Sequence, residues 1–98
     1  MEIRREKKAS ALSLAIEGRI DTTTAPQLET ELKTDLDGVT ELRLDFWQVE
    51  YNSSAGLRVL LSAQKLMNRQ GKMVLTHVSE SVMEIFEVTG FSDILTIE

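Results

Sequence analysis

"LRLDFWQVEYNSSAGLRVLL", residues 42 to 61, contains two different hydrophobic periodicities. Leu42, Leu44 and Phe46 alternate with charged residues, the period-two pattern of a half-buried strand. That strand is read as ending near Asp45 to Trp47, with residues 47 to 52 as a connection. From about Ser54 to Gln70 the spacing becomes helical, and Gly71 closes it. On this helix Val59, Leu60, Ala63, Leu66 and Met67 share one face, and Arg58, Ser62, Lys65 and Arg69 the opposite one. Leu57 and Leu61 fall towards the border. A strand feeding a helix in this way is half of a βαβ unit.

Towards the C-terminus the alternation of elements repeats. Met73-Val74-Leu75 reads as a buried strand, and Ser79 as the N-cap of a helix whose first turn carries Glu80 and whose inner face is Val82, Met83 and Phe86. Gly90 followed by Phe91 fits a helix terminator, and Ile94, Leu95 and Ile97 supply a last strand. Towards the N-terminus, Leu12, Leu14, Ile16 and Ile20 form an alternating strand. Glu2 to Lys7 is a weaker one, and the short link between them implies an antiparallel pair. Its basic residues Arg4, Arg5, Lys7 and Lys8 suit a solvated edge. Thr24-Ala25-Pro26-Gln27 has the form of a capping box, followed by the stripe Ala25, Leu28, Leu32 and Leu36 and a stop at Gly38.

The order is β-β-α-β-α-β-α-β. Strands separated by helices become parallel neighbours through right-handed crossovers, which predicts an α/β fold with a mixed four- to five-stranded sheet flanked by helices. At 98 residues the chain is expected to be one domain, residues 1 to 98.

Composition narrows the function. With 42% hydrophobic and 28% charged residues and no long apolar run, the chain reads as soluble and non-membrane. MEIRREKKAS is no secretory signal, so a cytoplasmic location is expected. No cysteine is present, which removes disulfides and thiolate chemistry. A net charge of -5 opposes direct nucleic-acid binding.

Three kinds of chemistry remain. A small hydrolase or nucleotide-binding enzyme would need His77, the lone histidine, to serve Ser54, but N-S-S-A-G lacks the glycine that precedes the serine in G-x-S-x-G. Asp21 and Asp45, both read at strand ends, could approach each other near the Ser54 loop and act as acid and base or hold magnesium, although strand-end aspartates more often bind backbone N–H groups. Regulation is the third. Ser54 at a helix start would cap free N–H groups, and a phosphate there would bring about -1.5 to -2 charges beside the stripe of Leu57, Arg58, Leu61, Lys65 and Arg69.

Three stretches, "EGRIDTTTAPQLE" (17 to 29), "LRLDFWQVEYNSSAGLRVLL" (42 to 61) and "VSESVMEIFEVTGFSDILTI" (78 to 97), together resemble the STAS domains, and among them the bacterial anti-sigma factor antagonists. The resemblance implies a protein with no catalytic activity and no cofactor, controlled by phosphorylation. Its implied partners are an anti-sigma factor with serine kinase activity, an ATPase of the histidine-kinase-like superfamily, and a serine phosphatase. The unphosphorylated antagonist binds the kinase and frees a sigma factor; phosphorylation of one serine blocks binding. Aligned through Gly56 and Leu57, that serine is Ser54, with Ser53 the second choice in a position where aspartate is usual. Asn52 replaces a usually apolar residue, and Trp47 and Gln48 occupy a segment often made of small ones. Asp21 and Asp45 match acidic positions near the family's phosphorylation loop. The implied partner surface is Asp21, Thr22, Thr23, Thr24, Asn52, Ser53, Ser54, Leu57, Arg58, Leu61 and Lys65, on a monomer or weak dimer. The same fold also serves as a constitutive scaffold or sensory module in signalling or transport assemblies, which is the alternative reading.

Overall fold

A computed structural model describes residues 1–98. Five strands, β1 (Glu2–Lys8), β2 (Ala11–Ile20), β3 (Glu41–Asn52), β4 (Lys72–Thr76) and β5 (Thr96–Ile97), form one sheet in sequence order. β1 and β2 make an antiparallel hairpin through a tight turn with Ala9 at φ +54°. All later neighbours are parallel. Helices α1 (Ala25–Lys33), α2 (Ser54–Asn68) and α3 (Glu80–Thr89) are the crossovers, and a 3₁₀ turn, Phe91–Asp93, precedes β5. The expected order is therefore the observed one, with five strands.

Because the parallel strands always advance in one direction, right-handed crossovers place every helix on the same face of the sheet. One core fills that side: Leu12, Leu14 and Ile16 from β2, Leu42, Leu44 and Phe46 from β3, Met73 and Leu75 from β4, with Leu28, Leu60, Met67 and Phe86 from the helices. Phe46 and Phe86 meet at 6.3 Å between ring centres, and each contributes on the order of 2 to 3 kcal/mol through burial. The other face, with Ser13, Ala15, Arg43 and Asp45, has no helix over it.

β3 runs to Asn52, well past the end expected near Asp45 to Trp47. Its pairing with β2 shifts by one residue between Ala15 and Glu17 and again between Gly18 and Arg19. Each bulge inserts a residue and reverses which face the next side chain takes. The inward positions thus become Leu42, Leu44, Phe46, Val49 and Asn52, spaced by two and then by three. Simple alternation stops at the first bulge although the strand does not.

The start and end of α1 also differ from expectation. Thr24 is its N-cap residue but its side chain does not cap the helix, so the capping box is not formed. The helix ends at Lys33, because Thr34 turns extended and Asp35 takes φ +59°, and Leu36 reaches the core from the following loop. Arg5 closes that end: its guanidinium donates to the Glu31 and Thr34 carbonyls at 3.0 and 2.9 Å and pairs with the Glu31 carboxylate at 2.8 Å. Ser79 caps α3 by accepting from the Val82 N–H, and Gly90 ends it at φ +82°, both as read from sequence.

Candidate functional site

The long β3 carries Asn52 beside Ile20, the last residue of β2, and the Ser53 N–H extends the ladder by donating to the Ile20 carbonyl at 2.8 Å. The chain then turns directly into α2. Ser53, extended at φ -83° and ψ 175°, is the N-cap; its Oγ accepts from the Gly56 N–H at 3.4 Å and its carbonyl from the Leu57 N–H at 2.9 Å. The cap is therefore Ser53, not Ser54 as expected. This leaves Ser54 as the first residue of the helix, exposed, with its hydroxyl not used in capping. Neither its own N–H nor that of Ala55 has an acceptor within the helix.

Beneath this turn lies Asn52, 1% exposed, with neither Nδ2 nor Oδ1 hydrogen-bonded. Its amide sits under Gly56, where a methyl group would overlap Asn52 Oδ1 and approach Ile20 Cγ2 to 2.5 Å. Two unpaired polar atoms in the core oppose folding. Asn52→Val, which keeps a strand-compatible shape and removes them, is expected to raise stability by about 1 kcal/mol in urea unfolding.

The loop after β2 stands alongside. Asp21 Oδ1 accepts from the N–H groups of Thr23 and Thr24 at 2.9 and 3.1 Å, while the Thr24 hydroxyl accepts from the Asp21 N–H at 2.9 Å and donates to the Arg19 carbonyl at 2.8 Å. That use of its hydroxyl is why Thr24 does not cap α1. The Thr24 N–H, foremost, holds the Asp21 carboxyl below its ordinary pKa, with the Thr23 N–H, the Thr24 hydroxyl and the nearby Arg19 charge adding to the effect against some desolvation. A lowered folded-state pKa stabilises the fold above the unfolded value, about 3.9, and that contribution disappears as pH falls through the lower folded one. In urea unfolding between about pH 5 and pH 2.5, Asp21→Asn should show a shallower acid loss than the native chain.

The loop and the helix start border a shallow groove lined by Thr22, Ala25, Pro26, Glu29, Ala55, Arg58 and Val59. Ser54, Arg58, Leu61 and Lys65 follow one another at helical spacing along the outside of α2. Arg58 and Lys65 are exposed and Leu61 is half-buried. Leu57 is different: at 5% exposure it belongs to the core, so it supports this surface from within and offers a partner nothing to touch. The same holds for Asn52. Arg19, missed in the sequence, lies 4.5 Å over the ring of Tyr51 at the rim of this end of the sheet. Its pattern was legible only once β2 and β3 were put in register.

Asp45 does not join them. It pairs with Ala15 in mid-sheet, seven residues before Asn52, on the order of 20 Å along the strand. There it accepts from the Trp47 N–H at 2.9 Å and contacts His77 Nδ1 at 3.1 Å. The expected approach of Asp21 and Asp45 is not made. His77, committed to Asp45 with Trp47 edge-on at 5.8 Å, belongs to that same mid-sheet group, and this removes the convergence that a Ser54 hydrolase would need.

No helix is long and apolar enough to cross a membrane. The family model described as STAS domain matches residues 2–98. BtrV of Bordetella bronchiseptica is 37% identical over 99 residues, covering 99% of this chain and 85% of that protein. The anti-sigma-B factor antagonist of Listeria monocytogenes is 35% identical over 97 residues, covering 96% of this chain and 84% of that one. Among solved structures, the anti-sigma factor antagonist SpoIIAA in its unphosphorylated form superposes with a TM-score of 0.77 over 99% of this chain and 87% of that one, at 16% identity. The phosphorylated form of the Bacillus SpoIIAA gives 0.76 at 16% identity, over 99% of this chain and 91% of that one. A one-sided five-stranded sheet, the turn from β3 into α2 and a family match over nearly the whole length lead to one conclusion: the chain belongs to the STAS domain family.

Proposed function

We propose that the protein is an anti-sigma factor antagonist whose partner binding is switched by phosphorylation of Ser54. Unmodified, it binds an anti-sigma factor with serine kinase activity and so releases a sigma factor; phosphorylated, it does not bind, and a serine phosphatase restores it. Relatives about a third identical carry the antagonist name, and SpoIIAA, of the same fold, exists in both phosphorylated and unphosphorylated forms.

The observation that carries this reading is the division of labour between the two serines. Ser53 holds the helix start, so Ser54 is exposed and free to react without loss of the cap. The positive end of the α2 dipole and Arg58, one turn on, would accommodate the added charge. The fold would be retained while the surface formed by Asp21, Thr22, Thr23, Ser54, Arg58, Leu61 and Lys65 changes sign locally. Titrating the unmodified protein into a complex of the anti-sigma factor and its sigma factor tests this. Release of the sigma factor is expected, and an undisturbed complex would rule the proposal out.

A further inference from the structure

The outer strand β1 is paired on one side only, to β2. On its helix-free face Glu2, Arg4, Glu6 and Lys8 alternate in charge, and all four are exposed. A row of like charges would repel a second copy of itself. An alternating row is complementary to its own reverse.

Two copies that meet edge to edge about a two-fold axis normal to the sheet run antiparallel and keep corresponding faces together. Residues of β1 can then oppose only residues of the same parity. With full overlap of Glu2–Lys8, Glu2 faces Lys8 twice and Arg4 faces Glu6 twice. A slip by two residues in one direction sets Arg4 against Arg4 and Glu2 against Glu6; in the other it sets Glu6 against Glu6 and Arg4 against Lys8. Slips of four restore opposite charges, Glu2 against Arg4 or Glu6 against Lys8, but over three residues only, so full overlap is the favoured register.

On the helix-covered face that register places Arg5 opposite Arg5, but each is folded back onto its own Glu31 carboxylate at 2.8 Å and onto the end of α1. Lys7, which that register sets opposite the second copy's Ile3, is likewise drawn to its own Asp35 carbonyl at 3.3 Å. The exposed ion pair of Arg4 with Glu17, at 3.6 Å, is too weak to hold Arg4 from a partner. We propose that β1 is a homodimer edge: a second copy of this chain pairs with it in the Glu2–Lys8, Arg4–Glu6 register, joining two five-stranded sheets into one.

The proposal is independent of Ser54. Sedimentation velocity of the full chain from roughly 10 µM to 1 mM should show a concentration-dependent dimer. Arg4→Glu and Glu6→Lys should each weaken it about tenfold or more, since every cross-strand pair they touch becomes repulsive. An equimolar mixture of the two variants should dimerise again, because each mixed contact then joins opposite charges. Glu2→Lys with Lys8→Glu provides a second, separate pair for the same exchange, and far-UV circular dichroism checks that each variant is folded. A monomer throughout the range, dimers indifferent to these charges, or a mixture that stays monomeric would overturn the register.

Discussion

Gly56→Ala is expected to destabilise the protein by about 2 kcal/mol, lowering the midpoint of thermal unfolding by about 10 °C. Considered alone, α2 would favour the change, since alanine exceeds glycine in helix propensity by about 1 kcal/mol. Packing reverses the sign. The new methyl would overlap Asn52 Oδ1 and lie 2.5 Å from Ile20 Cγ2, two groups held by the last ladder positions of β3 and β2. Both are side-chain atoms but buried, so relief means turning the Asn52 amide and shifting Ile20 in a packed core or lifting the first turn of α2, which would also move Ser54. Combining Gly56→Ala with Asn52→Ala removes the worst overlap, so the double variant should be more stable than the sum of the single changes implies by about 1 kcal/mol. Strict additivity in a urea-unfolding cycle would show that the two residues do not meet as described.

The second large effect concerns binding. Phosphorylation of Ser54 is expected to weaken the complex with the anti-sigma factor by about a hundredfold or more, roughly 3 kcal/mol, measured by calorimetric titration of the two forms. Ser54→Asp carries half the charge and fewer acceptors and should fall between them. Ser53→Ala addresses the other hydroxyl. It should lower stability by about 1 kcal/mol through loss of the cap while leaving affinity at temperatures well below unfolding nearly unchanged. The contrast separates a residue that builds the helix start from one that is read there.

Much of this could be read in the sequence, and the failures have physical causes. Alternation in Leu12 to Ile16 and Leu42 to Phe46 located the central strands, and Ser79 and Gly90 bounded α3 because each acts through its own local geometry. Alternation alone ends β3 near Asp45 to Trp47, because its two bulges convert a spacing of two into one of three and take Val49 and Asn52 out of the period-two pattern. The same bulges separate Asp45 from Ser54: alternation alone puts Asp45 at a strand end beside the Ser54 loop, whereas it lies seven residues before Asn52, with His77. The cap assignment failed by one residue. Ser53 and Ser54 each have a backbone N–H three residues on, so spacing does not separate them; the Ser53 N–H bond to the Ile20 carbonyl at the end of the ladder does. Arg5 is not assignable locally, since the distant Glu31 and Thr34 carbonyls claim its guanidinium, whereas the Thr24 hydroxyl is taken within its own loop by the Arg19 carbonyl and the Asp21 N–H, a turn that capping rules do not read.

Direct mapping of the phosphorylated residue tests the central claim most closely. The native chain, Ser54→Ala and Ser53→Ala are each incubated with the kinase and Mg·ATP, and the peptide containing both serines is sequenced by mass spectrometry. Phosphate on Ser54 in the native chain and in Ser53→Ala, with none on Ser54→Ala, is the predicted result. Phosphate on Ser53, or none on either serine, would contradict the assignment of Ser54 as the switch.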